Sequence, residues 1–419
     1  MPDVRRQSPL DSVVRHALMR GLTRRRFLRH AGRASLAAGA AVSLPALLAA
    51  CSTPPAATPQ ATPGQGTPPA GTPPPAGDTL NFANWPFYID QDEDSGASDT
   101  LQQFTSETGI QVNYQERIES NDGFFGTIAP ALAAGRSTGW DLIVVTDWMV
   151  ARLIRLGYLE QINVDSEVPQ FVANAADAYK NPWYDPNNGH SVPWQSGFTG
   201  IGYNIALTGR EITSINDLWD EEFRGRIGMF SEMRDSMNFA MLRLGIDPEQ
   251  ATLEDAQRAA QELLAQAPLV RAYYGNEYAE ALANGDVAIT MAWSGDVYQL
   301  QADNEDLRFV IPEEGANLWV DNMCIPRGAE NPTAAKQMMD FVYDPEIAAQ
   351  IAGYVQFISP VPAARDVLAA SDDEEEQELA DSELIFPSDE TLAQTVGYPN
   401  LDEEAERQWQ ELFQQIVQG

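Results

Sequence analysis

An α/β fold is the class the sequence predicts, on two observations. From residue 79 onward, short alternating or apolar strand patterns take turns with helical periodicities, the order that builds a sheet flanked by helices. One of the strand candidates, Asp141-Leu142-Ile143-Val144-Val145, is an apolar run of the kind found in a strand covered on both faces. A chain of 419 residues, 44% of them hydrophobic, has material for more than one domain. Only Cys51 and Cys324 occur, too few for a disulfide framework or a thiolate metal site, so packing must hold the fold.

The elements follow in order. Residues 1–50 read as a twin-arginine/lipoprotein signal: Thr23-Arg24-Arg25-Arg26-Phe27-Leu28 supplies the charged region, Ala34 to Ala50 a small apolar one, and Leu48-Ala49-Ala50-Cys51 a lipobox in which Cys51 is lipidated. The alternative, a membrane-anchoring helix, is disfavoured because the run falls short of about 20 residues and contains Pro45. Residues 51–78 are then a lipidated cysteine followed by a tether; Ser52 to Gly77 carries nine prolines and no charge. At about 3.1 Å per residue, this polyproline-like segment reaches roughly 80 Å from a membrane. Beyond it, Leu80 to Asn84, Ile110 to Tyr114 and Asp141 to Val145 are strand candidates, with a helix over Asp99 to Glu107. Val287 to Trp293 is a further strand, and helical periodicity runs over Met237 to Leu244, Leu253 to Ala265 and Thr333 to Val342. Ser371 to Gln377 is an acidic run, read as a solvated loop or helix start and not as a metal site.

Charge narrows the function classes. The formal charge is −35; nine of the 26 basic residues lie before residue 50, which leaves 59 acidic against 17 basic residues after it. Such a body repels phosphate backbones and anionic lipid and attracts cations, so nucleic acid is not an expected partner. The residues following the strand candidates are therefore informative, because ligands of open α/β sheets sit beyond the strands' carboxyl ends. Trp85, Phe87 and Tyr88 follow the first, Thr146, Asp147 and Trp148 the third, and Trp293 with Asp296 and Trp319 with Asp321 recur later. Carboxylates bond ammonium groups while aromatic faces hold methylenes and attract cations, so the recurring pair points to capture of an elongated cation such as a polyamine. Individually each has a plainer role: a core aromatic for the tryptophans, a helix cap for Asp296, and a first helical turn for Glu232 and Asp235.

The body from about residue 79 to 365 resembles the spermidine/putrescine-binding family of polyamine ABC importers. The resemblance rests on an ordered series: Asn84-Trp85-Pro86-Phe87-Tyr88, the Asp141-Leu142-Ile143-Val144-Val145 strand with Trp148, Val192-Pro193-Trp194, and Thr199-Gly200-Ile201-Gly202-Tyr203-Asn204. It continues with Asp217-Leu218-Trp219, Phe223-Arg224-Gly225-Arg226-Ile227, Ala283-Asn284-Gly285-Asp286, Trp293-Ser294-Gly295-Asp296 and Pro312-Glu313-Glu314-Gly315 with Trp319-Val320-Asp321. It implies a two-lobed, type II periplasmic-binding-protein (Venus-flytrap) fold with two mixed sheets and a hinge between lobes. Lobe 1 would take residues 79–196 and 322–376, and lobe 2 residues 197–321 and 377–419. The chain would cross near Trp194 to Gly197 and Asp321 to Asn322, with a third passage in the acidic C-terminal region.

By the same resemblance, Trp85, Tyr88, Trp148, Trp293 and Trp319 form an aromatic box, Asp321 clamps one amino group, and Asp296 matches the acid of putrescine-type members. Glu232 and Asp235 match the acidic pair of spermidine-type members. Phe357 stands where the family has tyrosine, and Phe87 and Trp148 are bulkier or more apolar than usual. Spermidine and putrescine both remain open as ligand, with spermidine favoured because more acids suit more amines; another small cationic or polar solute and a sensory role remain open as well. The implied partners are the polyamine, a separate permease and ATPase, and the membrane through the lipid on Cys51. The protein is expected to act as an exported monomer without cofactor. An enzyme is disfavoured: His16 and His30 lie in the export segment, His190 stands alone, and no nucleophile or phosphate-binding motif accompanies it.

Overall fold

The computed structural model describes residues 77–92 and 95–418. The signal segment, Cys51 and nearly all of the tether lie outside these residues. Among the described residues no helix is long and apolar enough to cross a membrane, and no group of three or more His, Cys, Asp or Glu could hold a metal.

Ten strands form one hydrogen-bonded sheet. They are β1 (Thr79–Asn84), β2 (Gln111–Glu116), β3 (Leu142–Thr146), β4 (Ser191–Asn204), β5 (Ile227–Phe230), β6 (Val270–Tyr274), β7 (Ile289–Trp293), β8 (Leu307–Val310), β9 (Ala316–Cys324) and β10 (Thr395–Val396). The order is β2-β1-β3-β9-β4-β7-β5-β6, with β10 on β9 and β8 on β4. At each end the strands run parallel, β1 with β2 and β3, and β5 with β6 and β7. The two parallel sets join through antiparallel β4 and β9. Two mixed half-sheets thus share the strands that connect them.

The helices that matter for the cleft are α1 (Asp99–Thr108), α2 (Asn121–Ala133), α3 (Asp147–Arg155), α4 (Met233–Arg243), α5 (Leu253–Gln266), α6 (Tyr278–Ala283), α7 (Ser294–Gln301), α8 (Pro332–Phe341), α9 (Pro345–Val355) and α10 (Glu403–Val417). Their starts follow local chemistry. Ser98 caps α1 by accepting from Leu101 N–H, and Thr252 with Asp255 makes a reciprocal capping box on α5. The acidic run begins a helix at Glu374, with Asp373 as its cap.

Apolar side chains divide into two cores. One gathers Phe82, Phe104, Val144, Leu153, Trp194, Met323 and Ile351; the other gathers Ile201, Phe230, Phe239, Leu263, Tyr278, Met291 and Trp409. Leu379, Ala380 and Ile385 belong to the first core, and Leu401, Phe413 and Ile416 to the second. Phe386 still packs on the first core, whereas Thr395 and Val396 pair with Ala316 and Asn317 and Gly397 bonds Glu249 and Asn238, so the C-terminal passage lies between residues 386 and 395, beyond the boundary expected at 376. The reason is packing: the helix starting at Glu374 buries Leu379 and Ala380 before the chain leaves.

β4 is buried along all 14 residues because its two halves lie inside different cores. Its register to β9 is interrupted by a bulge between Pro193 and Gln195, opposite Asn322 and Asp321. A bulge bends its strand and leaves one residue unpaired; here that residue is Trp194, whose indole N–H donates to the Tyr88 carbonyl at 3.0 Å. Further along β4, glycine is needed for close approach. A Cβ at Gly200 would come within 2.5 Å of both the Val310 carbonyl oxygen and Phe309 Cζ. Replacing Gly200 with alanine should cost about 1–3 kcal/mol as overpacking, lowering the thermal midpoint by roughly 2–10 °C. An unchanged midpoint by calorimetry would show that β8 yields freely.

Candidate functional site

The cleft is built around the crossing of β4 and β9. Trp319 and Asp321 do not follow a strand end, as the strand-end reading expected; both lie within β9. The correction has a simple cause: β9 passes from one half-sheet to the other, so its middle, and not its end, faces the gap.

Asp321 is buried, and both of its oxygens are engaged. Tyr88 Oη donates to Oδ2 at 3.0 Å, and Thr146 Oγ1 donates to Oδ1 at 2.7 Å. Burial pushes its carboxyl up to about 6, although the hydrogen bonds from Thr146 and Tyr88 pull the other way. The rings of Tyr88 and Trp319 both meet Phe357 edge to face, with centroids 5.9 and 5.2 Å away. Phe357 follows Gln356, which leaves α9 in the left-handed conformation, φ 57°, and so turns the phenyl ring inward. A Cβ at Gly197 would come within 2.4 Å of Trp319, and one at Gly295 within 2.7 Å of Phe357. These two glycines let the cores approach each other across the aromatic cluster.

Trp293 and Asp296 meet through Tyr278. Tyr278 Oη donates to Asp296 Oδ2 at 2.7 Å and accepts from Trp293 N–H at 3.0 Å, and the two rings stack edge to face. Asp296 is thus not the cap the sequence suggested: the N-cap of α7 is Trp293, no side chain caps it, and Asp296 lies in the first turn with its carboxylate turned to Tyr278. Asp235 accepts at Oδ1 from Thr199, Tyr398 and Asn317, at 2.7, 2.8 and 3.1 Å. Burial raises its carboxyl above the usual range despite those donors. Glu232, half-buried at the start of α4, makes no capping bond there. Burial, with the charges of Asp235 and Asp122, raises it to about 7. Trp85 is partly buried against the first core, and its indole N–H has no protein acceptor; the same is true of Trp319.

Four functional-site neighbours escaped the sequence reading. Asp147, noticed after β3 but not assigned to the site, is buried at the start of α3 and accepts from Trp148 N–H at 2.5 Å. Burial raises it to about 8; that hydrogen bond opposes the shift, and the nearby Asp321 charge adds to it. Its carboxylate next to an apolar run was a visible signal. Arg234, Arg152 and Glu406 gave none, since they are far apart in sequence and join only through packing. Arg234 pairs with Glu406, and Arg152 reaches both Glu406 at 2.5 Å and Asp122 at 2.6 Å. Burial alone would raise Glu406, yet the two guanidiniums hold its carboxyl below the usual range.

A pH dependence follows for the free protein. Unfolded Asp and Glu have lost their protons by about pH 6, whereas the folded chain keeps those of Glu232 and Asp147 until about 7 and 8. The folded state then binds more protons, so stability is lost as pH rises through those values. The thermal midpoint of the unliganded protein should therefore fall between pH 6 and 8.5, and Asp147→Asn should flatten that slope. A midpoint rising over this interval would contradict the assignment of both acids.

Comparison with known proteins places these features in a family. Residues 99–380 match the model of the bacterial extracellular solute-binding protein family. The chain is 29% identical over 343 residues to a spermidine/putrescine-binding periplasmic protein of Salmonella typhimurium, covering 82% of this chain and 92% of that protein. It is 29% identical over 364 residues to a putrescine-binding periplasmic protein of Escherichia coli, with 79% and 90% coverage. Among solved structures, the spermidine/putrescine ABC transporter substrate-binding protein of Streptococcus pneumoniae aligns with a TM-score of 0.68 and 27% identity, covering 82% of this chain and 99% of that one.

Proposed function

We propose, from the premise that this chain belongs to the bacterial extracellular solute-binding protein family, that it captures a protonated polyamine and delivers it to the permease of an ABC importer. Its fold is the two-lobed periplasmic-binding-protein fold, to which the Streptococcus pneumoniae protein is similar. The observation that carries the ligand reading is Asp321, buried at the strand crossing beside Tyr88, Phe357 and Trp319. A buried carboxylate among aromatic rings is costly unless a cation completes it, and an alkylammonium supplies both the charge and methylenes for the rings. The relatives named for spermidine or putrescine support the same class.

In this reading the open form receives the ligand against Asp321, Trp85 and Tyr88. Bending at the Trp194 bulge and its β9 partners then brings Trp293 and Asp296 over it, with Trp319 and Phe357 between. Glu232, Asp235 and Trp148 line the remaining end. Closure is favoured only to the extent that the ligand gains contacts with the second lobe. Surplus surface acid raises the capture rate for cations, more at low salt than at high. The lobes are residues 79–196 with 322–386 and residues 197–321 with 395–419. Export through the twin-arginine signal, a diacylated Cys51 and the Pro-rich tether hold a monomer at the outer face of the cytoplasmic membrane.

Calorimetric titration with putrescine, cadaverine, spermidine and spermine tests the ligand class. One-to-one binding is expected, and Asp321→Asn should weaken it about 10- to 100-fold, the scale of a charged hydrogen bond. No heat with any polyamine from a folded sample would sink the reading. Cys51→Ala should move the protein from the membrane to the soluble fraction of fractionated cells; retention in the membrane would refute the lipid anchor.

A further inference from the structure

Three side chains on one face of α3 reach across to the second lobe. Trp148, Arg152 and Arg155 follow one another at spacings of four and three residues, the repeat that brings helical side chains to one face. Trp148 meets the Arg234 guanidinium, whose carbon lies 3.7 Å from the ring centroid. Arg152 grips Glu406 on α10 through both carboxylate oxygens, at 2.5 and 3.1 Å. Arg155 approaches the same carboxylate at 3.7 Å and donates to the Leu401 carbonyl at 3.3 Å. α3 packs on the first core, whereas α4 with Arg234, Leu401 and α10 belong to the second. The Arg152 and Glu406 side chains are only 15% and 12% exposed, so water and salt screen this pair less than an ordinary surface pair. Glu406 lies beyond residues 99–380, the segment that matches the family model.

Each side of the contact also keeps an ion pair of its own. Within the first lobe, Arg152 pairs with Asp122 on α2 at 2.6 Å and lies over the Phe125 ring. Within the second, Arg234 pairs with Glu406. Burial would raise the Glu406 carboxyl, but the charges of Arg234 and Arg152 hold it below the usual range, so it is ionised at neutral pH. Parting the lobes would break the bonds of Arg152 and Arg155 to Glu406 and Leu401, yet leave Arg152 with Asp122 and Glu406 with Arg234. Neither charge is stranded, and stranding is what makes most buried pairs so costly to break. The network thus favours the joined arrangement without forbidding the separated one, as a reversible closure requires. A contact made wholly of protein groups acts alike on every ligand: it changes the closed fraction, and with it the apparent affinity, by one factor whatever the cleft holds.

We propose that Glu406 is the latch residue of the cleft: gripped by Arg152 and Arg155 from the facing lobe and held by Arg234 from its own, it sets how long a ligand is retained without touching that ligand. The inference rests on the two-lobed closure read above and not on which polyamine is bound.

The test is calorimetric titration of the full chain, wild type and variants, with putrescine and spermidine, joined to release rates from stopped-flow tryptophan fluorescence. Glu406→Gln should weaken both ligands and speed their release by the same factor, about three- to thirtyfold, between the scales of an exposed ion pair and a charged hydrogen bond. Arg152→Met should do likewise, and the double variant should bind no more weakly than the weaker single one, because both changes remove one contact. If Glu406→Gln does not fold, as judged by circular dichroism, Arg155→Gln, at a more exposed position, provides the second variant, with a smaller loss of the same kind. Affinities and release rates unchanged in the folded variants, or a change that differs between putrescine and spermidine, overturn the latch while polyamine capture stands. If neither polyamine binds wild type, small-angle X-ray scattering of the ligand-free protein decides. A larger radius of gyration in Glu406→Gln then keeps the latch and overturns the polyamine reading alone, and identical curves overturn both.

Discussion

Two strands, β4 and β9, run through both halves of the sheet, and every acid and aromatic of the cleft is positioned relative to them. Strands that serve one core can be trimmed or slipped at modest cost, but a one-residue slip between these two would turn side chains of both lobes to the wrong face. The bulge at Trp194 sits where the two cores meet. It concentrates the local twist at the point where the chain passes from one core to the other, and it does so beside Asp321. Asp321 and the bulge are thus neighbours by construction.

Around that crossing, burial and charge pull against each other. Asp147, Asp235 and Asp321 are buried, and Glu232 half-buried, with carboxyl groups raised above the usual range by their loss of water. Hydrogen bonds from Thr146, Tyr88, Thr199, Asn317 and Tyr398 offset part of this cost. They do not supply a positive charge. Arg234 supplies one to Asp147, Glu232 and Asp235, held in place by Trp148 and Glu406.

Much of the fold was legible in the sequence because local pattern and burial agree. β1, β3 and β7 were read within two residues, as were α1, α5 and α8, since periodicity and capping residues stand in the sequence itself. The length of β4 was not legible: Pro193 and three glycines, Gly197, Gly200 and Gly202, argue against a long strand, and only the close neighbours Trp319, Phe309, Val310 and Ala292 explain why they are tolerated. The same holds for the cleft. The acids and aromatics could be named, but Asp296 looked like a cap until Tyr278 was found against it, and Trp319 and Asp321 looked like strand-end residues until β9 proved to run through both halves.

What the sequence by itself determined is therefore the α/β class, the acidic surplus that favours cationic solutes, the boundaries of most elements and the residue types of the site. These follow from composition and from patterns only a few residues long. The tertiary structure alone decided which carboxylates stand near a protein cation and which aromatic ring carries one. Arg152, Arg234 and Glu406 are separated by 82 and 172 positions along the chain, and no local pattern links them. They meet because α3 packs on the first core while α4 and α10 pack on the second, and the paired crossing strands hold the two cores face to face.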